Sequence, residues 1–270
     1  MSPTLHLHVL GSFEAGWSDG GQVKIASKKA QALIAYLAVE SRRTHTREQL
    51  ATLLWGDTGD ERARHNLRQA LAKIRSCCST LIVSEGDSLA IDTGACTVDV
   101  LEFNQFAQSD DPDQLRRCLD LYRSDLLDGF IPREPEFDEW LLLARSQLRR
   151  TACDVADRFV QALIEQNRID EAVEGINQRL AMDPACEPAH CKLMELLALT
   201  GRRSDALHQY QVCVEALQRE FGAEPSAETK LLYLKLRNTD PGTSAQNIQP
   251  PAPAALQAAH HRPTGASRAR

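Results

Sequence analysis

Five Lys or Arg and no acid fall between Arg62 and Arg75, in a chain of 270 residues whose formal net charge is -6. The cations are Arg62, Arg64, Arg68, Lys73 and Arg75, and His65 and Gln69 stand among them. A guanidinium presents a rigid fork of donors that fits phosphate oxygens or the O6/N7 edge of guanine. A glutamine amide offers one donor and one acceptor, which is what adenine asks for in the major groove. At 100° per residue, Ala63, Leu67, Ala70, Leu71, Ile74 and Cys77 gather in an arc of roughly 120°, and this arc is expected to pack. His65, Arg68, Gln69, Ala72 and Ser76 lie opposite, with Arg62, Arg64, Lys73 and Arg75 on the flanks. Asn66 falls near the edge of the buried arc. The pattern is that of a groove-reading helix over residues 61–78, with His65, Arg68 and Gln69 on base edges and the flanking cations on phosphates. Each good bidentate base contact would supply about 1–3 kcal/mol of discrimination. The plainer alternative is a solvated basic helix face.

Other residues bear on the same chemistry. Arg47 sits in the first turn of an expected second helix, where free N–H groups and the helix dipole favour a phosphate. Lys28 and Lys29 open an expected first helix and either touch a DNA backbone or counter nearby acids; Lys28 is retained with the phosphate contacts. Signatures of catalysis are missing. The sequence has no Gly-x-x-x-x-Gly-Lys-Ser/Thr loop, no nucleophile elbow and no His cluster at metal-ligand spacing. Neither a cofactor nor a metal is therefore expected, and an enzyme is not. Glu134, Glu136, Asp138 and Glu139 read as solvated charges or as acids at a helix N-terminus. The eight cysteines form no Cys-x-x-Cys pair and read as small buried thiols. His6 and His8 alternate with Leu and are expected to face solvent, while Trp55, Phe137 and Trp140 are expected to pack.

These side chains need elements to carry them. LHLHVLG, FEAGWS and QVKI read as three short strands, with Gly20-Gly21 as a turn. SKKAQALIAYLAVES follows as a helix with Ser27 as N-cap and an apolar face of Ala30, Leu33, Ile34, Leu37 and Ala38. A second helix opens at Thr46, where Thr46-Arg-Glu-Gln49 is a capping box. The cationic helix is third. Leu81–Val83 and Leu89–Ile91 then flank a Gly-Asp turn as a β-hairpin. Three strands, three helices and a hairpin make a winged helix-turn-helix, whose third helix is the recognition helix.

From Val98 onward the pattern is helical. Residues 167–180 align with 201–214 at an offset of 34, the period of a tetratricopeptide helix pair. Residues 118–122 echo 206–210 more faintly. Charge divides the same way: residues 1–91 carry 11 Lys/Arg against 9 Asp/Glu, and residues 98–237 carry 17 against 26. The expected class is mainly α. A winged-helix domain (1–95) precedes an all-α tetratricopeptide-like domain (96–238), and a Pro/Ala/Gln-rich tail (239–270) is expected to be disordered. The sequence lacks both a run of 18 apolar residues and a signal peptide, so a cytoplasmic, nucleoid-associated protein without a membrane partner is expected.

LGSFE, SKKAQALIAYLA, TREQLATLLWGD and RARHNLRQALAKIR resemble the OmpR-type DNA-binding domain of SARP-like bacterial transcriptional activators. VDVLEF, CLDLYRSDLLDGF, FDEWLLLARSQLRR and the stretch from MDPACEPAH to LQREFGAEPSAET resemble the bacterial transcriptional activator domain, BTAD, that follows it in that family. The resemblance spans about residues 4–236. It implies binding of double-stranded promoter DNA at direct repeats, often by two protomers, recruitment of RNA polymerase, and protein contacts through the helical domain. It maps family DNA contacts onto Arg47, Arg64, His65, Arg68 and Gln69. The remaining alternative is a protein-interaction adaptor whose winged helix binds protein.

Overall fold

The computed structural model describes residues 4–131 and 133–238. Its elements run β1 (Leu5–His8), β2 (Glu14–Trp17), α1 (Lys28–Val39), β3 (His45–Thr46), α2 (Arg47–Trp55), α3 (Asp60–Cys77), β4 (Ile82–Glu85), β5 (Ser88–Ile91) and β6 (Cys96–Val98). Seven helices follow: α4 (Asp99–Phe106), α5 (Pro112–Leu121), α6 (Pro135–Glu165), α7 (Ile169–Met182), α8 (Glu187–Leu199), α9 (Arg203–Phe221) and α10 (Ala227–Asn238). A mainly helical chain thus begins with small sheets and three helices and continues as helices alone, the class expected from the sequence.

Local chemistry sets the first helices. The Ser27 hydroxyl accepts from the Ala30 N–H and caps α1. At α2 the Thr46 hydroxyl accepts from the Gln49 N–H while the Gln49 side chain accepts from the Thr46 N–H, so the capping box is formed. The apolar stripes of α1 and α3 meet in the core: Ala30, Leu33, Ile34, Leu37 and Ala38 are buried, as are Ala63, Leu67, Ala70, Leu71 and Ile74. Cys77, expected in that stripe, is exposed, and Cys78 is buried in its place. The helix ends at Cys77, and the non-helical backbone at Cys78 turns the next thiol inward.

Two three-stranded sheets flank these helices. β3 and β4 pair antiparallel with β5, which makes the wing. The other sheet has the order β2-β1-β6. QVKI forms no strand; it contributes only the isolated bridge between Gly16 and Gln22. The third strand is β6, parallel to β1 with Leu5 opposite Cys96 and Leu7 opposite Val98. The expected boundary at 95/96 therefore precedes a strand that completes the N-terminal sheet.

That sheet stacks against the helical half through specific groups. The Asp99 carboxylate, at the start of α4, accepts from the backbone N–H groups of Val9, Leu10 and Val100 at 2.7–2.9 Å. His8 lies beside it at 3.7 Å, and His6 contacts the Thr97 hydroxyl of β6, so both rings are half-buried against partners and not fully solvent-facing. Residues 9–11 bond with the backbone of residues 125–128, a loop that Arg145 of α6 grips through the Leu126 and Leu127 carbonyls. Nearer the start of α6, Trp140 meets Tyr36 of α1 edge-on at 4.8 Å and donates to the Glu40 carboxylate. Glu134 is paired with Lys29 at 2.5 Å and is no mere solvated acid.

The internal repeat is visible as geometry. α7 and α9 begin 34 positions apart, at Ile169 and Arg203, and Ala172 and Ala206 are both fully buried. Each helix is preceded by an arginine paired with an acid three residues on, Arg168 with Glu171 and Arg202 with Asp205. The expected tail, 239–270, lies outside the described residues.

Candidate nucleic-acid interface

The cationic face of α3 opens onto a groove of about 1120 Å³ between α2, α3 and the tip of the wing. Arg47, Arg62, Arg64, His65, Asn66 and Arg68 line it, together with Glu48, Asp57, Glu61 and Asp87. Arg47 stands at the start of α2, as its capping box requires. The others come from the first half of α3, whose buried stripe turns this row outward. Three elements thus converge on one concave, charged surface.

Each nominated side chain has a definite place. His65 and Gln69 are one turn apart and exposed, and their Nε2 atoms lie 2.8 Å from each other. That contact couples the two, since a Gln amide nitrogen engaged with the ring leaves its carbonyl oxygen for other donors. Arg68 is exposed on the groove wall. Arg64 lies 3.7 Å from Glu48 of α2. Arg75 donates to the Ser84 hydroxyl of β4 at 2.8 Å, beside the wing and away from the groove lining. Lys73 is exposed on α3 and also outside that lining. Lys28 stands apart: its ammonium lies 5.5 Å from the centre of the Phe130 ring, against the approach to α6.

Ser84 escaped sequence reasoning, as did the pairing of Asp87, in the acidic hairpin tip, with Arg47. Ser84 accepts from both Arg47, at 3.3 Å, and Arg75. The Asp87 carbonyl accepts from the Arg47 N–H at 3.0 Å, and its carboxylate lies 3.9 Å from the Arg47 Nε. The acidic turn had no visible partner in the sequence. Only the pairing of β3 with β5, Thr46 opposite Ser88, carries the turn to the start of α2.

Behind the groove, His45 is buried and meets the Tyr36 ring edge-on at 4.9 Å, one residue before the cap of α2. Burial, helped by the neighbouring Glu40 carboxylate, pushes the Tyr36 hydroxyl above its ordinary range. The ring stays neutral and packs edge-on between His45 and Trp140. No group of three or more His, Cys, Asp or Glu residues able to hold a metal ion occurs among the described residues. No described helix is long and apolar enough to cross a membrane.

Residues 102–237, half of the chain, match the family model of the bacterial transcriptional activator domain. The chain belongs to this family. The resemblance to SARP-like bacterial activators seen in the sequence agrees with its relatives. The regulatory protein AfsR of Streptomyces coelicolor is 27% identical over 259 residues, which cover 89% of this chain and 25% of that protein. AfsR of Streptomyces griseus is 26% identical over 254 residues, 87% of this chain and 25% of the relative. The SARP-like chain thus spans about a quarter of the length of these relatives. Among solved structures, Mycobacterium tuberculosis EmbR, in complex with a low-affinity phosphopeptide, superposes with a TM-score of 0.65 at 18% identity. The superposition covers 87% of this chain and 65% of EmbR, and it bears on the fold alone. The groove on α3 lies outside the BTAD match.

Proposed function

We propose that this SARP-like chain is a sequence-specific DNA-binding transcription regulator that reads a major groove with α3. One observation carries the proposal: Arg47, Arg62, Arg64, His65 and Arg68, from two helices, converge on one groove beside a wing. Arg68 and the His65–Gln69 pair would contact base edges, and Arg47, Arg62 and Arg64 would contact phosphates. Arg75 and Lys73 would meet the backbone toward the wing. Lys28 is the weakest of the nominated contacts, since it packs on Phe130.

The family membership and the AfsR relatives support transcriptional regulation. Activation, promoter direct repeats, a pair of protomers on DNA and recruitment of RNA polymerase come with the SARP resemblance and form part of the proposal. The division of labour is likewise proposed: the first ninety-odd residues bind DNA, and the acidic helical part binds protein.

A gel-shift titration tests the core of this. Arg68→Ala should weaken binding to the specific site by about 1–3 kcal/mol and relax preference at one base position. Arg47→Ala should weaken all duplexes about equally. Wild-type affinity should fall roughly 10³-fold or more between 50 and 200 mM salt. Absence of duplex binding at any salt would leave the adaptor alternative; wild-type behaviour of both variants would displace the interface from this groove.

A further inference from the structure

The stretch from Arg62 to Arg75 carries no acid, yet of the acids that line its groove, two from other elements come within 4 Å of its arginines. Glu48, on α2, lies 3.7 Å from Arg64, and Asp87, at the wing tip, lies 3.9 Å from Arg47. The acids are largely exposed, at 76% and 71% of their side chains, so burial does not dictate their positions. Arg47 is the more tightly held, because the wing also engages it through the Asp87 carbonyl and the Ser84 hydroxyl. The wing and α2 therefore each place one anion where a DNA phosphate would come.

We infer that Glu48 and Asp87 are intramolecular competitors of DNA phosphate for Arg64 and Arg47, set there to weaken sequence-independent binding. This rests on the DNA-binding function proposed above. A phosphate approaching either arginine meets a cation that already has a carboxylate beside it, and that carboxylate shares the phosphate's sign. Both effects oppose phosphate contact, the term that supplies nearly all non-specific affinity. The base-reading set of His65, Arg68 and Gln69 is untouched, so the preference among sequences does not depend on the two acids. The protein spends less time on random DNA as a result.

The test uses the full chain and a random-sequence duplex. Glu48→Gln and Asp87→Asn, singly and together, are compared with Glu85→Gln, an exposed acid of the same hairpin outside the groove lining. At low salt the double variant should bind the random duplex about three- to tenfold more tightly, each single variant contributing a share. The gain should shrink as salt rises, and base preference in a mixed-sequence selection should stay as in wild type. Glu85→Gln should change affinity less than about twofold. No gain, or an equal gain in Glu85→Gln, would overturn the inference, the latter by reducing it to net charge. A gain in only one single variant would overturn it for the other acid. If the wild-type chain binds no duplex, the proposed function itself fails, a result distinct from these.

Discussion

Asp99 shows how much one side chain can hold. Burial pushes its carboxyl above the usual carboxylate range, against the pull of three backbone N–H donors and His8. Removing it would orphan the buried N–H groups of Val9, Leu10 and Val100 at the seam between the sheet and α4. Relief of the buried charge offsets part of that loss, so Asp99→Ala should lower stability by about 2–4 kcal/mol in urea titration. His190 makes a second residue-scale case. It is buried with Nε2 facing the Pro184 carbonyl at 2.9 Å and Nδ1 facing the Gln209 amide at 2.6 Å, a pattern suited to the neutral ring. Burial holds its imidazole below the ordinary range. An unfolded chain takes up that proton near about pH 6.5, so the folded state is favoured above this pH and loses stability as pH falls through it. The melting temperature should drop between about pH 7.5 and about pH 5.5, and His190→Gln should flatten the drop. At this scale the angular sorting of α3 was legible, because helical period and apolar spacing determine which residues turn outward. The partners of Arg47 were not: Ser84 lies 37 positions away, and its approach depends on strand pairing.

Among the elements, those with a local signal were legible and those built by distant pairing were not. The Ser27 cap, the Thr46 capping box and the apolar stripes each reside in a few neighbouring residues, the 34-residue repeat is read along the chain, and α1, α2, α3, α7 and α9 appear where those signals put them. QVKI has the composition of a strand, but a strand needs an edge to join. QVKI reaches β2 only through the Gly16–Gln22 bridge, and the third strand is β6 on the far edge of β1, in a parallel pairing that nothing within β6 announces. Contact between helices adds a prediction. A Cβ on Gly175 of α7 would stand 3.0 Å from Val160 and 3.5 Å from Phe159 of α6. Gly175→Val should push α6 and α7 apart and cost about 2–3 kcal/mol, read as a lower denaturation midpoint with helical content retained at low denaturant.

The molecule as a whole has one main buried cluster that runs from Leu5 of β1 to Ala206 of α9. It crosses the seam where charge and hydropathy pattern divide the sequence, because net composition does not report which apolar, backbone and charged groups meet there, such as Leu127 with Val9 or Lys29 with Glu134. Unfolding should therefore be a single transition. Tryptophan fluorescence reports Trp17, Trp55 and Trp140, in the N-terminal half and at the seam, while far-UV circular dichroism is dominated by the later helices. The two urea curves should coincide; separated midpoints would show halves that melt independently. The parallel pairing of β1 with β6 also has a meaning in time. Leu5 leaves the ribosome long before its partner Cys96, by roughly 5–18 s at ordinary elongation rates. Until then β1 and β2 exist as a bare hairpin, which is marginal in water by itself. The ribosome must therefore translate α1, α2, α3 and the wing before the sheet that β1 opens can close.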